Sequence, residues 1–216
     1  FAYVPSPKSI YKNIFKLSSG SILRINKDNL ININKKEINI FDQFKITKWW
    51  DAKKIFNNQV SKLYTNHKEA IIDTENVLTE SIRSQLISDV PVGTFLSGGI
   101  DSSLISTLMQ KKLSTNTKTF TIGFEDKNYD ESKYAKQIAK VIGTDHNELI
   151  LNQKEALNII PNLSKVYDEP FADSSQIPTI LLSKFAKQQI TVALTGDGGD
   201  ELFGGYNRYV FLKSFW

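Results

Sequence analysis

Apolar positions along the chain fall into runs whose spacing alternates between the strand and the helix period. Ser21 to Ile25 and Leu30 to Ile33 read as two short strands turned by Asn26-Lys27-Asp28-Asn29. An aromatic linker through Trp49-Trp50-Asp51 follows. From about Lys68 to Ser88, residues Ile71, Ile72, Val77, Leu78, Ile82, Leu86 and Ile87 recur at helical spacing, and the pattern stops before Pro91, which disfavours helix in the residue ahead of it. Val92-Gly93-Thr94-Phe95-Leu96 is short and mostly apolar, as a strand covered on both faces should be. Leu104, Ile105, Leu108 and Met109 return to helical spacing. Lys118 to Phe124 is rich in β-branched and aromatic residues, a strand composition. A helix carrying Tyr134, Ala135, Ile138, Ala139 and Ile142 should run from an N-cap at Asp130 to a terminating Gly143. His146 to Leu151 reads as a strand, Ile177 to Lys187 as a helix N-capped by Asp173, and Ile190 to Leu194 as a last strand. Such alternation predicts a parallel α/β sheet with right-handed crossovers.

Two of the strand-to-helix junctions carry unusual chemistry. Ser97-Gly98-Gly99-Ile100-Asp101-Ser102-Ser103 joins an apolar strand to a helix N-terminus, where the first backbone N–H groups lack internal partners and attract anions. Gly98 and Gly99 have no β-carbon to hold an anion away from the main chain, and Ser97, Ser102 and Ser103 add hydroxyls. Asp101 makes sense beside a polyanion when a hard cation such as Mg²⁺ lies between them. The Lys of G-x-x-x-x-G-K-[ST] is missing, so the loop suits pyrophosphate better than γ-phosphoryl transfer.

The second junction, Thr195-Gly196-Asp197-Gly198-Gly199-Asp200-Glu201-Leu202-Phe203-Gly204-Gly205-Tyr206, again follows an apolar strand and packs Asp197, Asp200 and Glu201 into five residues. Glu201 stands where G-x-G-x-x-G needs its last glycine, which disfavours a dinucleotide fingerprint. The spacing also lacks the alternate ligands of an EF-hand. In an open parallel sheet, ligands collect beyond the carboxyl ends of strands, so both loops can face one crevice and Asp101 and Asp200 can share one Mg²⁺.

SGGIDSS, then TFTIGF, then LTGDGGDELFGGYNRY resemble, in that order, the synthetase domain of glutamine-hydrolysing asparagine synthetase, from roughly Asn66 onward. Tyr3-Val4-Pro5-Ser6-Pro7 through Ser21 is similar to the end of that family's glutaminase domain. The resemblance implies an adenine nucleotide alpha-hydrolase-like fold, a doubly wound parallel sheet of the ATP pyrophosphatase type. It places residues 1–50 as the remnant and linker of the glutaminase domain and 51–216 as the synthetase domain, with the family's catalytic lysine beyond Trp216 and the fragment poorly active. The implied activity converts aspartate to asparagine through β-aspartyl-AMP, releasing AMP and pyrophosphate, with ammonia drawn from glutamine. The family's glutaminase nucleophile is an N-terminal cysteine, and this chain has no cysteine, so glutamine hydrolysis is not encoded here.

Residue roles follow from the same resemblance. Ser97, Gly98, Gly99, Asp101, Ser102 and Ser103 would hold ATP phosphates, with Asp101 and Asp200 on Mg²⁺. The backbone near Phe95 and Ile122 and the Thr195-Gly196 turn match adenosine-contacting positions, while the side chains of Phe95 and Ile122 also read as core. Asp197 stands where many members carry Glu; it would handle the ammonia proton or organise its loop. Asp168-Glu169-Pro170 and Asp173-Ser174-Ser175 resemble further family segments. A related enzyme adenylating a sugar acid, a peptide or a β-amino acid, and a non-catalytic relative, are the rival readings.

Composition narrows the setting. With 216 residues, 40% hydrophobic and 23% charged, the chain is ordinary for a folded domain. No apolar run approaches the roughly 20 residues of a membrane span, and no leader opens the sequence, so a cytoplasmic location without membrane association is expected. The net charge of +4 is spread among Asn and Ile rather than gathered on an aromatic-studded face, which argues against nucleic acid. Two histidines, His67 and His146, and no cysteine are too few for a usual zinc cluster. Small-molecule substrates are the expected partners, and a homodimer is left open.

Overall fold

The computed structural model describes residues 2–27, 44–59, 63–126 and 130–212. The chain divides into two compact units, residues 1–66 with 164–173, and residues 67–163 with 174–216. No helix among the described residues is long and apolar enough to cross a membrane.

In the first unit, β1 (Ser21–Arg24) pairs antiparallel with β2 (Lys45–Lys48), from Ser21 opposite Lys48 to Arg24 opposite Lys45. The expected second strand, Leu30 to Ile33, lies outside the described residues. Gly20 accepts the N–H groups of Trp49 and Trp50 at 2.9 and 3.2 Å, which closes the ladder. Helix α1 (Ala52–Gln59) follows, with Asp51 Oδ1 accepting the Lys54 N–H at 3.2 Å. Residues 164–173 return to this unit. Glu169 Oε2 receives the Lys16 ammonium at 2.6 Å, the Ala172 N–H donates to Ala2 O at 2.7 Å, and Tyr167 meets Phe171 edge-on at 4.8 Å.

The second unit is built on a four-stranded sheet in the order β5-β4-β3-β6. Its elements in sequence are α2 (His67–Gln85), β3 (Val92–Phe95), α3 (Ile100–Gln110), β4 (Lys118–Phe124), α4 (Ser132–Ile142), β5 (Asp145–Leu151), α5 (Gln153–Leu157), a 3₁₀ turn (Ile160–Asn162), α6 (Leu163–Val166) on the unit boundary, α7 (Gln176–Ala186), β6 (Val192–Leu194), α8 (Gly199–Phe203) and α9 (Asn207–Leu212). All three strand pairings are parallel, with Thr94 opposite Thr119, Thr94 opposite Leu194, and Lys118 opposite Asp145.

Alternation along the strands sends successive side chains to opposite faces. Phe95, Phe120 and Ala193 pack with Leu182, Phe185 and Ala186 of α7, with Phe120 and Phe185 edge-on at 5.8 Å. On the other face Val92 and Leu194 pack with Ile82 of α2 and Leu108 and Met109 of α3, and Leu96 packs with Ala135 and Ala139 of α4. Met109 and Phe120 are completely buried, each contributing ~1.5–3 kcal/mol of transfer free energy. Helices thus cover both faces, so the parallel α/β sheet expected from the alternation is present in the doubly wound form that the resemblance implies.

Local differences from expectation concern caps. Gly143 ends α4 in the left-handed conformation (φ +80°), as read from the sequence. The N-cap position falls on Glu131 rather than Asp130, yet Asp130 Oδ1 still accepts the Ser132 N–H at 3.1 Å. Helix α7 starts after Ser175, not Asp173, so the residue resembling a cap lies outside the first turn.

Candidate active site

Chain order sets the location of the site. From β3 the sheet grows outward through β4 and β5, then the chain returns to place β6 on the opposite side of β3. The carboxyl ends of β3 and β6 therefore flank a topological switch point, where an α/β sheet opens a crevice. Both Gly-rich loops leave from these two strand ends.

The first loop enters α3 through Gly98 (φ +87°) and Gly99, whose extended conformation (φ −73°, ψ 163°) makes it the N-cap. Gly99 has no side chain to cap the helix, so the first-turn N–H groups receive no capping hydrogen bond from it. A β-carbon at Gly98 would also lie 3.0 Å from Tyr134 Cβ and 3.1 Å from the Ala135 nitrogen, so α4 packs directly on the loop. The serines hold the loop together. Ser102 Oγ accepts the Ser97 N–H at 3.2 Å and lies 3.0 Å from Ser97 Oγ; Ser103 Oγ donates to Gly99 O at 2.6 Å. Ser102 is buried, whereas Asp101 and Ser103 are half-buried at the rim.

The two loops meet at Asp101. A β-carbon on Gly196 would come 2.8 Å from the Ser102 nitrogen and 2.9 Å from Asp101 Cβ, and one on Gly199 would come 2.5 Å from Asp101 Cγ. Absent side chains on the second loop thus let it close over the first turn of α3, with Asp200 the residue after Gly199. Asp200 Oδ1 lies against Gly205, where a β-carbon would collide with it. Asp197 is exposed; its Oδ2 accepts from Thr195 Oγ1 at 3.0 Å, and its N–H donates back to that hydroxyl at 3.3 Å. The carboxylate is thereby drawn onto its own loop.

Phe95 closes β3, with its side chain in the cluster under α7. Ile122 lies in β4 opposite Leu149 of β5. Beside the second loop, a cavity of about 360 Å³ runs between α2, α3 and β6, floored by Leu78, Ile82 and Leu194, with Thr195 and Asp197 among its lining residues. A second cavity of similar size, between β5, α5 and α7, is lined by Leu149, Leu151 and Phe185.

No group of three His, Cys, Asp or Glu side chains able to hold a metal ion occurs among the described residues. The rim instead offers carboxylates from two touching loops. Such a donor set fits a hard, octahedral cation that takes one or two carboxylates and completes its shell with phosphate and water oxygens.

Sequence reasoning passed over the partners of the second loop. Tyr206 Oη donates to Glu201 Oε1 at 2.8 Å, and the Arg208 guanidinium lies 4.0 Å above the Tyr206 ring. The Gly204-Gly205-Tyr206 run, which closes the second junction, was the available signal.

Comparison with known proteins places the chain in a family. The sequence model of the asparagine synthase family matches residues 73–216. A Methanocaldococcus jannaschii protein with the provisional name asparagine synthetase (glutamine-hydrolyzing) 2 is 38% identical over 96% of this chain and 37% of its own length. Asparagine synthetase (glutamine-hydrolyzing) 1 of Bacillus subtilis is 33% identical over 100% of this chain and 31% of its own length. The chain therefore spans about a third of the length of these curated relatives. Among solved structures, the NH3-dependent NAD synthetase of Campylobacter jejuni matches with a TM-score of 0.42 and 18% identity, covering 62% of this chain and 59% of that one, too loosely to carry an argument. From the family match and the two relatives, the chain belongs to the asparagine synthase family.

Proposed function

We propose that these residues form the nucleotide half of an ATP-dependent asparagine synthetase, which turns aspartate into asparagine through β-aspartyl-AMP. The observation that carries this reading is the closure of the second Gly-rich loop onto Asp101, at the switch point and over an uncapped helix end. In it, the first-turn N–H groups of α3, with Ser97, Gly98, Gly99, Ser102 and Ser103, receive the ATP phosphates. Backbone around Phe95, Ile122, Thr195 and Gly196 receives the adenosine. Asp101 and Asp200 hold Mg²⁺, which when bound neutralises charge growing on the departing pyrophosphate.

In the first step a side-chain carboxylate oxygen of aspartate bonds to the α-phosphorus, and the bond from that phosphorus to the bridging oxygen breaks, releasing pyrophosphate. The positive end of α3 stabilises this leaving group without having to reorient, as water would. In the second step ammonia attacks the acyl carbon and AMP leaves with the bonding electrons. The Asp197 carboxylate accepts the proton shed by nitrogen, after releasing the Thr195 hydroxyl it now holds. Glutamine hydrolysis, as in the names of the relatives, supplies the ammonia from outside these residues. Free aspartate, ATP and ammonia or glutamine are the partners, a homodimer in the cytoplasm the setting.

The test has a nucleotide arm and an acyl arm. Calorimetric titration of the chain with ATP should show Mg²⁺-dependent binding, and Asp101→Asn should weaken it by at least ~10-fold, the equivalent of 1.4 kcal/mol, while the melting temperature holds. Absence of ATP binding overturns the nucleotide reading. Exchange of labelled pyrophosphate into ATP should depend on aspartate; exchange driven instead by a sugar acid, a peptide or a β-amino acid overturns the acyl assignment.

A further inference from the structure

Helix α8, which carries Asp200, has five residues and no buried side chain. A helix so short is unstable by itself, because nucleation consumes more conformational entropy than its few hydrogen bonds offset. Something outside it must hold Asp200 in place. The segment that follows wraps back over it. The Gly205 N–H donates to Asp200 O at 3.0 Å, and Gly205 has no β-carbon where Asp200 Oδ1 lies. Tyr206 Oη then donates to Glu201 Oε1 at 2.8 Å, the residue after Asp200. The Tyr206 ring is itself fixed, edge-on to Tyr209 at 5.6 Å and under the Arg208 guanidinium at 4.0 Å. That guanidinium also lies 5.5 Å from the Tyr209 ring, so one cation spans both aromatics.

We infer that Tyr206 is a positioning residue, a clasp that locks α8 through Glu201 and so sets the direction in which Asp200 meets the metal. The inference rests on the nucleotide reading above and adds to it how the second carboxylate is oriented. The hydrogen bond to Glu201 also raises the Tyr206 hydroxyl above its ordinary value, so it remains a donor at neutral and mildly alkaline pH.

Calorimetric ATP titrations of the full chain at stepped Mg²⁺ concentrations test this. Tyr206→Phe keeps the ring beneath Arg208 and removes only the donor. It should raise the Mg²⁺ concentration for half-maximal ATP binding about fivefold, the size of one net hydrogen bond, while metal-free ATP binding and the melting temperature stay at wild-type values. Glu201→Ala should produce the same shift, Glu201→Gln, which retains an acceptor, should largely restore it, and the double variant Tyr206→Phe with Glu201→Ala should be no worse than either alone. An unchanged Mg²⁺ requirement in Tyr206→Phe, additive effects in the double variant, or a parallel fall in melting temperature and metal-free binding overturns the clasp while leaving the nucleotide reading intact. Failure of the wild-type chain to bind ATP at any Mg²⁺ concentration overturns both.

Discussion

Gly196 and Gly199 exclude larger side chains for different reasons. A β-carbon on Gly196 would press on the backbone nitrogen of Ser102 at 2.8 Å, which cannot yield without moving α3. One on Gly199 would meet the end of the Asp101 side chain, which can swing away. Gly196→Ala should therefore cost about 1–3 kcal/mol of stability in urea unfolding, and Gly199→Ala less than ~0.5 kcal/mol while displacing Asp101 and weakening ATP binding in the titration described above. His146 makes a second prediction. Its Nδ1 lies 2.9 Å from Thr119 Oγ1, and its buried Nε2 has no partner. Burial holds the imidazole below its ordinary value of 6.5, against the pull of Glu148 and with some help from Lys136. The folded state thus binds this proton less readily than the unfolded one. Its stabilisation is complete above about pH 6.5 and is lost as the pH falls through the lowered folded value. Melting temperatures from pH 7.5 to 5.5 should fall less steeply for His146→Gln than for wild type. At this scale the approach of the second Gly-rich loop to Asp101 was legible, because glycines at strand ends leave room for two loops to touch. The Ser102 bridge and the Thr195 hold on Asp197 were not, because a serine or threonine in a loop has many equivalent partners.

Elements were readable in proportion to how much of them is buried. β3 and β4 sit inside the sheet and are written largely in apolar and β-branched residues, whereas β5, at the sheet edge, opens on Asp-His-Asn-Glu and shows its apolar run only at Leu149-Ile150-Leu151. β2 is Lys-Ile-Thr-Lys with every residue exposed, so it carries no hydrophobic period to detect. Helix α5 has a capping box, Asn152 with Glu155, that the sequence does display, but its five residues are too few for a periodic signal. The end of α4 shows the opposite case, a stop written in one residue. A β-carbon on Gly143 would meet nothing within 4 Å, so the left-handed backbone alone demands glycine there. Gly143→Ala should destabilise by about 1–2 kcal/mol and Gly143→Asn by less, measured by the shift in urea midpoint at constant slope.

At the scale of the molecule the least legible feature is the path of residues 164–173, which leave the sheet-bearing unit and return to the first one. Lys16 and Glu169 are far apart in sequence, and nothing in their local composition announces the pairing. Both side chains are partly shielded, 36% and 20% exposed, and the ammonium also reaches Val4 O. Glu169→Gln should loosen residues 2–20 by about 1 kcal/mol, seen as roughly fivefold faster amide exchange there, while protection of β3 to β5 is unchanged. The chain thus passes between its units three times, after residues 66, 163 and 173. Severing it at residue 66 would not liberate a self-sufficient module. The excised piece would keep a loop stitched for a neighbour it had lost, with the acid of Glu169 and the rings of Tyr167 and Phe171 laid bare, an invitation to proteases and to self-association.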